Sequence, residues 1–212
     1  GPIYVAAAVM SETVNHCVDA LALWRLQDWL HAHPRVVVIG GAGCSTEVGI
    51  PDYRDRNGQW KRPQPVTYQA FMGDVLVRQR YWARSMLGWR VMGQARPGSA
   101  HQALARLEQQ GRLELLITQN VDGLHDAAGS LNIVDLHGRI DTVRCMDCDK
   151  RSARADLQQR LLALNPAWVE LYAAPAPDGV ADLENQDFSR FGVPACPHCG
   201  TGLIKPHVVV FA

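Results

Sequence analysis

Apolar and polar residues follow one another along the chain in patterns that predict helices and short buried strands in turn. Apolar residues recur at helical spacing over residues 13–33, and Pro34 ends this pattern. A continuous β-branched run at 36–39 follows, which is typical of a strand buried on both faces of a parallel sheet. Further on, the patterns predict a helix at 100–110 and strands at 113–118, 132–136 and 207–211. This alternation predicts an α/β fold with a parallel sheet.

Residues 145–199 interrupt the alternation. Two Cys-x-x-Cys pairs bound this segment, and a loop-like stretch rich in alanine and proline lies inside it at 173–179. We therefore predict a small module at 145–199. It is inserted into a larger domain that comprises residues 13–144 and 200–212.

Composition and charge narrow the possible partners. The 212 residues include 21 Lys and Arg and 21 Asp and Glu, so the formal charge is zero and does not indicate a nucleic-acid partner. No apolar run is long enough to cross a membrane, so no membrane partner is expected. The apolar start of the chain is short and lacks a positively charged flank, so we do not interpret it as a secretory signal.

Four of the six cysteines form the two Cys-x-x-Cys pairs. In a chain without a secretory signal, such pairs more often bind a metal than form disulfides, which are the alternative. Four thiolates fill the tetrahedral shell of Zn²⁺ and leave no position for water, so the predicted zinc is structural, one per chain. The predicted ligands are Cys145, Cys148, Cys196 and Cys199.

A glycine-containing loop follows the strand predicted at 36–39. Gly41-Ala42-Gly43 would let the backbone approach a phosphate closely, but the triplet alone is equally typical of an ordinary turn. It also lacks the Gly-x-Gly-x-x-Gly spacing of dinucleotide-binding folds. The string Gly-Ile-Pro-Asp-Tyr-Arg at 49–54 is far more specific.

Together these strings resemble the signatures of the sirtuin family. The first signature is Gly-Ala-Gly-x-Ser followed by Gly-Ile-Pro-Asp-Phe-Arg, with Ser45 matching and Tyr53 in place of Phe. Thr-Gln-Asn-Val-Asp at 118–122 resembles the second signature, and His137 before Gly138 resembles the third. The resemblance covers about residues 21–211, and the long gap between the cysteine pairs is similar to class II members, the branch of the fourth mammalian sirtuin.

The resemblance implies a Rossmann-like sheet and an NAD-dependent protein-lysine deacylase. NAD is consumed as co-substrate: nicotinamide is released, and the acyl group moves from acylated lysine side chains of protein substrates to ADP-ribose. His137 is the implied base, Asn120 contacts the nicotinamide ribose, and Asp122 holds the carboxamide, so these three are the implied catalytic residues. The implied NAD-binding residues are Gly41, Ala42, Gly43, Ser45, Glu47, Pro51, Asp52, Tyr53, Arg54, Gln119, Asn120, Asp122 and His137.

Four residues are candidates for substrate binding. Val209 and Phe211 belong to a segment similar to the one that pairs with the acyl-lysine peptide in sirtuins. Tyr81 and Arg84 form the Tyr-x-x-Arg pattern by which some sirtuins bind succinyl or glutaryl groups, although they could equally be a packed aromatic residue and a solvated arginine. His101 and His125 match recurrent family positions, and we interpret both as structural.

Several questions stay open from the sequence. The family normally continues beyond residue 212 with Gly-Thr-Ser and Asn-x-Glu segments that hold the adenosine half of NAD, so we expect the NAD-binding domain here to lack its C-terminal part. Protein mono-ADP-ribosyl transfer, a non-catalytic NAD or ADP-ribose sensor and a zinc-ribbon adaptor are alternative functions. The expected compartment is the cytoplasm for a bacterial protein and the mitochondrial matrix for a eukaryotic one.

Overall fold

The structure is a computed structural model that describes residues 5–7, 19–52, 57, 59, 66–172 and 186–209. The chain divides into two compact units. The first comprises residues 1–63 and 95–138, and the second comprises residues 64–94 and 139–212.

The first unit contains a four-stranded parallel sheet in the order β1-β2-β3-β4. This confirms the predicted α/β class and its Rossmann-like parallel sheet. The strand at the apolar start of the chain was not predicted, because three residues are too few to show a period. The strands are β1 (Val5–Ala7), β2 (Val36–Gly40), β3 (Leu113–Thr118) and β4 (Ile133–Asp135).

The described residues form seven α-helices and two 3₁₀ helices. The helix predicted at 13–33 is present as α1, with residues 13–18 outside the described part of the chain. The helices are α1 (Ala20–Ala32), α2 (Tyr68–Gly73), α3 (Val75–Gln94), α4 (Ser99–Gln109), α5 (Leu124–Ala127), α6 (Arg154–Leu164) and α7 (Pro166–Tyr172), with 3₁₀ helices at Ala42–Val48 and Phe188–Arg190. None of these helices is long and apolar enough to cross a membrane.

Strands β2, β3 and β4 end side by side. Gly40 is level with Thr118, and Thr118 is level with Asp135. In a parallel sheet, the loops that leave the carboxyl ends of neighbouring strands therefore emerge at one edge, about 4.8 Å apart from strand to strand. The residues that the sequence singles out after each strand are consequently brought to a single edge of the sheet.

The second unit contains a three-stranded sheet in the order β6-β5-β7, with β5 and β6 antiparallel. Its strands are β5 (Gly138–Cys145), β6 (Arg151–Ala153) and β7 (Ile204–Val208). Its core is a cluster of buried apolar residues that includes Phe71, Trp82, Met86, Val143, Leu161 and Phe191.

Two expectations differ from this arrangement. The strand predicted at 207–211 begins at Ile204 and belongs to the second sheet rather than to the parallel one; residues 210–211 lie outside the described residues. The predicted domain boundaries placed 64–94 and 200–212 with the parallel sheet, whereas both segments belong to the second unit. The reason is packing: Trp82 and Met86 of α3 share a core with Val143 of β5, which local sequence patterns do not reveal.

Candidate active site and metal centre

Ser45 lies at the centre of a buried hydrogen-bond network in the first unit. It belongs to the 3₁₀ helix after β2, and only 1% of its surface is exposed. Its hydroxyl donates to Oδ2 of Asp122 over 2.6 Å. The hydroxyl oxygen of Ser45 also lies 3.3 Å from the side-chain nitrogen of Asn120 and 3.2 Å from Nε2 of His101. The residues predicted from the first two signatures are therefore in direct contact.

The hydrogen bonds of His101 determine which ring nitrogen carries the proton. The backbone N–H of Gly98 donates to Nδ1 over 2.9 Å, so Nδ1 offers a lone pair and Nε2 carries the proton. Burial lowers the pKa of His101, which favours this neutral form. Nε2 then donates to Ser45, whose hydroxyl accepts two bonds and donates one. His101, interpreted from the sequence as structural, therefore completes the network. His101 is the third residue of α4, where capping side chains reach back, but the second residue of the predicted helix, so the predicted boundary concealed this signal.

Asn120 and Asp122 connect the loops that follow β2 and β3. The side chain of Asn120 also donates to the carbonyl of Gly41 over 3.0 Å, and its backbone N–H donates to Oγ1 of Thr118 over 3.0 Å. Oδ1 of Asp122 accepts from the backbone N–H of Leu124 over 3.0 Å. Because these polar groups already have partners within the first unit, the loops are held in place without a ligand.

His137 follows β4 and is half-buried. Its Nδ1 lies 3.0 Å from the backbone carbonyl oxygen of Gln119. A carbonyl can only accept, so Nδ1 donates and the neutral ring keeps an unprotonated Nε2. The structure thus holds His137 in the tautomer that a general base requires.

The backbone at Gly41 borders open space. A methyl group added there would meet no atom of the described residues within 4 Å. Pro51 and Asp52, predicted to contact NAD, are exposed and half-buried respectively. Tyr53 and Arg54, from the same signature, lie outside the described residues.

Glu47 engages the start of helix α4. Its carboxylate accepts from the hydroxyl of Ser99 over 2.9 Å and from the backbone N–H of Ala100 over 3.4 Å. The hydrogen bond from Ser99 and the neighbouring backbone N–H groups lower the pKa of Glu47. A methyl group at Gly98 would lie 2.2 Å from this carboxylate, so a larger residue there would displace the carboxylate from its present position. Through these hydrogen bonds, Glu47 connects α4 to the 3₁₀ helix that contains Ser45.

The four predicted zinc ligands form one cluster in the second unit. Their sulfur atoms all lie within 4.8 Å of one another, and Cys145 to Cys199 and Cys148 to Cys196 are each separated by 3.7 Å. A tetrahedral zinc with bonds of about 2.3 Å to sulfur requires sulfur atoms about 3.8 Å apart, so the cluster fits one Zn²⁺. The four cysteines are free thiols and not disulfides.

Backbone N–H groups surround the sulfur atoms. Those of Asp147 and Cys148 each lie 3.4 Å from the sulfur of Cys145, and that of Gly202 lies 3.3 Å from Cys199. The N–H groups of Thr201 and Gly202 lower the pKa of the Cys199 thiol to about 6, so the thiolate that zinc binds is present at neutral pH. Sequence analysis missed Gly202, where an added methyl group would lie 2.2 Å from the sulfur of Cys145.

The predicted substrate residues lie in the second unit. The ring of Tyr81 packs edge-on against Phe71 at 5.3 Å and Trp82 at 5.1 Å, whereas Arg84 is exposed. Val209 is exposed directly after β7, and Phe211 lies outside the described residues.

With the geometry established, comparison with known proteins identifies the family. The model of the Sir2 family matches residues 41–212, so the chain belongs to the Sir2, or sirtuin, family. The first solved structure we compare, described as Sir2 with a p53 peptide and NAD⁺, has a TM-score of 0.65 and 31% identity; the match covers 89% of this chain and 64% of that one.

Two curated bacterial relatives are considerably more similar in sequence. The NAD-dependent protein deacetylase of Xanthomonas campestris is 60% identical over 186 residues, which cover 88% of this chain and 63% of the relative. The protein of the same name from Bordetella pertussis is 60% identical over 189 residues, which cover 89% of this chain and 69% of the relative. The chain therefore spans less than two thirds of the length of the Xanthomonas protein.

Proposed function

We propose that this protein is an NAD-dependent protein-lysine deacylase. NAD is consumed as co-substrate, acylated lysine side chains of proteins are the substrates, and the acyl group is transferred to ADP-ribose with release of nicotinamide. The observation that supports this most directly is the network of Ser45, Asn120 and Asp122, next to the Gln119 carbonyl that orients His137. The same function is supported by the names of the curated relatives and by the NAD⁺ and peptide in the compared structure.

Each residue of the network has a defined task in this proposal. The backbone at Gly41–Gly43, with Ser45, Pro51, Asp52, Tyr53 and Arg54, binds NAD. Bound NAD supplies a ribosyl carbon from which nicotinamide departs. Asp122 binds the carboxamide of nicotinamide, and Asn120 and Gln119 bind the adjoining ribose. Because Ser45 and His101 hold Asp122 and Asn120 in fixed positions, these polar groups need little reorganisation when charge develops on the ribose.

His137 acts as the general base. Its Nε2 accepts a proton from a ribose hydroxyl, while Nδ1 keeps its hydrogen bond to Gln119 and stabilises the resulting imidazolium. The four-cysteine centre takes no part in this chemistry, since a zinc with four sulfur ligands offers no open position. Its task is to hold the second unit together.

The first test is release of nicotinamide. We expect the protein to release nicotinamide from NAD in the presence of an acetyl-lysine peptide and to deacetylate the peptide in equal amount. Chromatography of nicotinamide and mass spectrometry of the peptide measure the two products. The unacetylated peptide serves as the control.

Three other outcomes would replace this proposal. ADP-ribose attached to a protein would indicate mono-ADP-ribosyl transfer. NAD binding without nicotinamide release would indicate a sensor. Partner binding through residues 145–199 with neither NAD binding nor release would indicate an adaptor.

We also propose that Tyr81 and Arg84 select acyl groups that end in a carboxylate, with Val209 and Phe211 contacting the peptide. Arg84 is exposed, and its guanidinium can form a forked pair with a carboxylate. We expect the variant Arg84→Met to lower the glutaryl-to-acetyl ratio of kcat/KM about tenfold or more. An unchanged glutaryl-to-acetyl ratio would show that residues other than Arg84 select the acyl group.

We propose the cytoplasm as the compartment, because the compared curated relatives are bacterial and four free thiols require a reducing environment.

A further inference from the structure

The three-stranded sheet of the second unit has one packed face and one open face. Val143 of β5 and Ile204 of β7 belong to the buried core cluster. Successive side chains of a strand point to opposite faces, so the next residue of each strand lies on the other side of the sheet. There Arg144 has 42% of its side chain exposed, and Lys205 is half-buried. Two cations therefore lie on the open face.

Strand pairing adds a second arginine to this face. Arg151 of β6 is exposed and lies directly opposite Arg144 in the antiparallel pairing, so both side chains are on the same side of the sheet. On the other side of β5, the backbone N–H of Met146 donates to the carbonyl of Leu203 over 2.8 Å, which joins the end of β5 to the start of β7. The central strand thus carries a cation between two strands that also carry one.

His207 belongs to the same face, two residues after Lys205 on β7. Burial lowers the pKa of this histidine, and the charges of Arg151, Arg144 and Lys205 lower it further. Burial and then the charge of Arg144 also lower the pKa of Lys205. These interactions agree with the placement of the cations on one face. We call this set the basic face: Arg144, Arg151, Lys205 and His207.

The basic face carries more positive charge than nearby carboxylates balance. Arg144 forms an ion pair with Asp149. Among the described residues, neither Arg151 nor Lys205 forms an ion pair, and Nζ of Lys205 instead donates to two backbone carbonyls of β7. Like charges directly opposite each other on neighbouring strands are destabilising, as Arg144 and Arg151 are here. Carboxylates of a partner would relieve that cost.

We propose that the basic face binds an acidic segment of the protein substrate, close in sequence to the acyl-lysine. This inference rests on the proposed deacylase function. β7 leads directly to Val209, which is 62% exposed and is proposed above to contact the peptide. An extended chain advances about 3.3 Å per residue, so Lys205 lies about 13 Å along the chain from Val209. We therefore expect the acidic residues about four positions from the part of the peptide that contacts Val209.

The number of cations favours a short peptide over a larger polyanion. Proteins that bind DNA through its phosphates commonly make about six to ten such contacts, and clusters that bind anionic membranes contain about four to eight basic residues. Besides His207, the basic face has only Arg144, Arg151 and Lys205, and the formal charge of the whole chain is zero. Two carboxylates of a peptide match the two cations that have no ion pair.

Matched acetyl-lysine peptides test this inference. One set carries two glutamates, three and four residues from the acetyl-lysine on its N-terminal or its C-terminal side, and the other set has glutamine at the same positions. We expect kcat/KM to be about three- to tenfold higher for one glutamate peptide than for its glutamine counterpart, which is the effect of two exposed ion pairs. Salt screens exposed charges, so this ratio should fall towards one at about 1 M salt. Equal kcat/KM for all peptides would overturn the inference and leave the deacylase function intact.

Variants of Arg151 locate the effect. Arg151→Gln is expected to lower the glutamate-to-glutamine ratio about two- to threefold, and Arg151→Glu should abolish the preference. A glutamate opposite Arg144 forms a favourable cross-strand pair, so Arg151→Glu should melt no lower than wild type, and its loss of preference would not reflect unfolding. Arg190→Gln is the matched control, because Arg190 is exposed on a 3₁₀ helix outside the sheet. An equal loss of preference in Arg190→Gln would reflect net charge and would contradict the inference.

Peptide binding without NAD separates this inference from the proposed reaction, and fluorescence anisotropy measures it. Preferential binding of the glutamate peptide without nicotinamide release after NAD is added would support the basic face and contradict the deacylase function. Absence of any preference in both binding and turnover would overturn the inference. A short DNA duplex or anionic lipid vesicles that bind more tightly than the glutamate peptide, and lose that binding in Arg151→Glu, would show that the basic face binds a nucleic acid or a membrane instead.

Discussion

Replacing His137 by alanine is expected to lower the rate of deacylation about a hundredfold to ten-thousandfold while NAD binding survives. The reason is the orientation of the ring. The Gln119 carbonyl, 3.0 Å away, holds the proton on Nδ1, so Nε2 is available to accept one from the substrate. The buried network around Ser45 does not include His137, so the groups proposed to bind nicotinamide keep their hydrogen bonds in the variant.

The measurement compares kcat for an acetyl-lysine peptide with the dissociation constant for NAD. His31→Ala is a matched control, because Nδ1 of His31 also bonds to a backbone carbonyl, that of Gln27 at 2.8 Å, at an exposed site on α1. Turnover of His137→Ala within a few-fold of wild type would show that another group accepts the proton. If His137→Ala lost NAD binding to the same extent as activity, His137 would instead be a residue that binds NAD.

The sequence predicted the parts of this molecule that depend on local pattern. β3 begins and ends at the predicted residues, because its apolar residues are bounded by Gly111 on one side and by the polar turn at Gln119 on the other. The four cysteines were predicted as one cluster because their paired spacing implies a shared metal. Residues after β2, β3 and β4 were assigned to one NAD site through the family resemblance, and the parallel strands bring the loops that carry them to one edge of the sheet.

The remaining features depend on contacts between residues distant in sequence. His101 meets Ser45 across 56 positions, and Arg154 meets Ser85 across 69. Glu47 was predicted to contact NAD, which stays a prediction, and the hydrogen bonds of its carboxylate to α4 were not predicted. β7 was predicted as a strand of the parallel sheet but belongs to the three-stranded sheet. Its apolar run predicts a strand and does not predict the neighbouring strand with which it pairs. Tertiary packing determines these long-range contacts and the pairing of strands, and the pattern of a single sequence does not predict that packing.

Replacing one zinc ligand is expected to have the second large effect, on zinc content and on the stability of the second unit. The protein should contain about one zinc per chain, and Cys196→Ser should lose it, because a hydroxyl does not replace a thiolate in a four-sulfur shell. Cys196 is buried in the core cluster of the second unit together with Cys145. Loss of the metal would leave the side chains of Cys145, Cys148 and Cys199 close together without the cation that binds them. Binding of zinc and folding are coupled, so the second unit should lose cooperative structure.

Elemental analysis of protein purified without chelator measures the zinc, and thermal unfolding followed by circular dichroism measures the structural effect. Cys44→Ser is the matched control: burial raises the pKa of the Cys44 thiol, which keeps it protonated, and Cys44 belongs to the first unit and is not one of the four clustered cysteines. We expect Cys44→Ser to retain its zinc and Cys196→Ser to lose most of it and to melt at a lower temperature. A strong chelator should give wild-type protein the melting behaviour of Cys196→Ser. Zinc-free wild-type protein that melts like untreated protein would show that the hydrophobic core around Trp82 and Leu161 holds the second unit together without the metal.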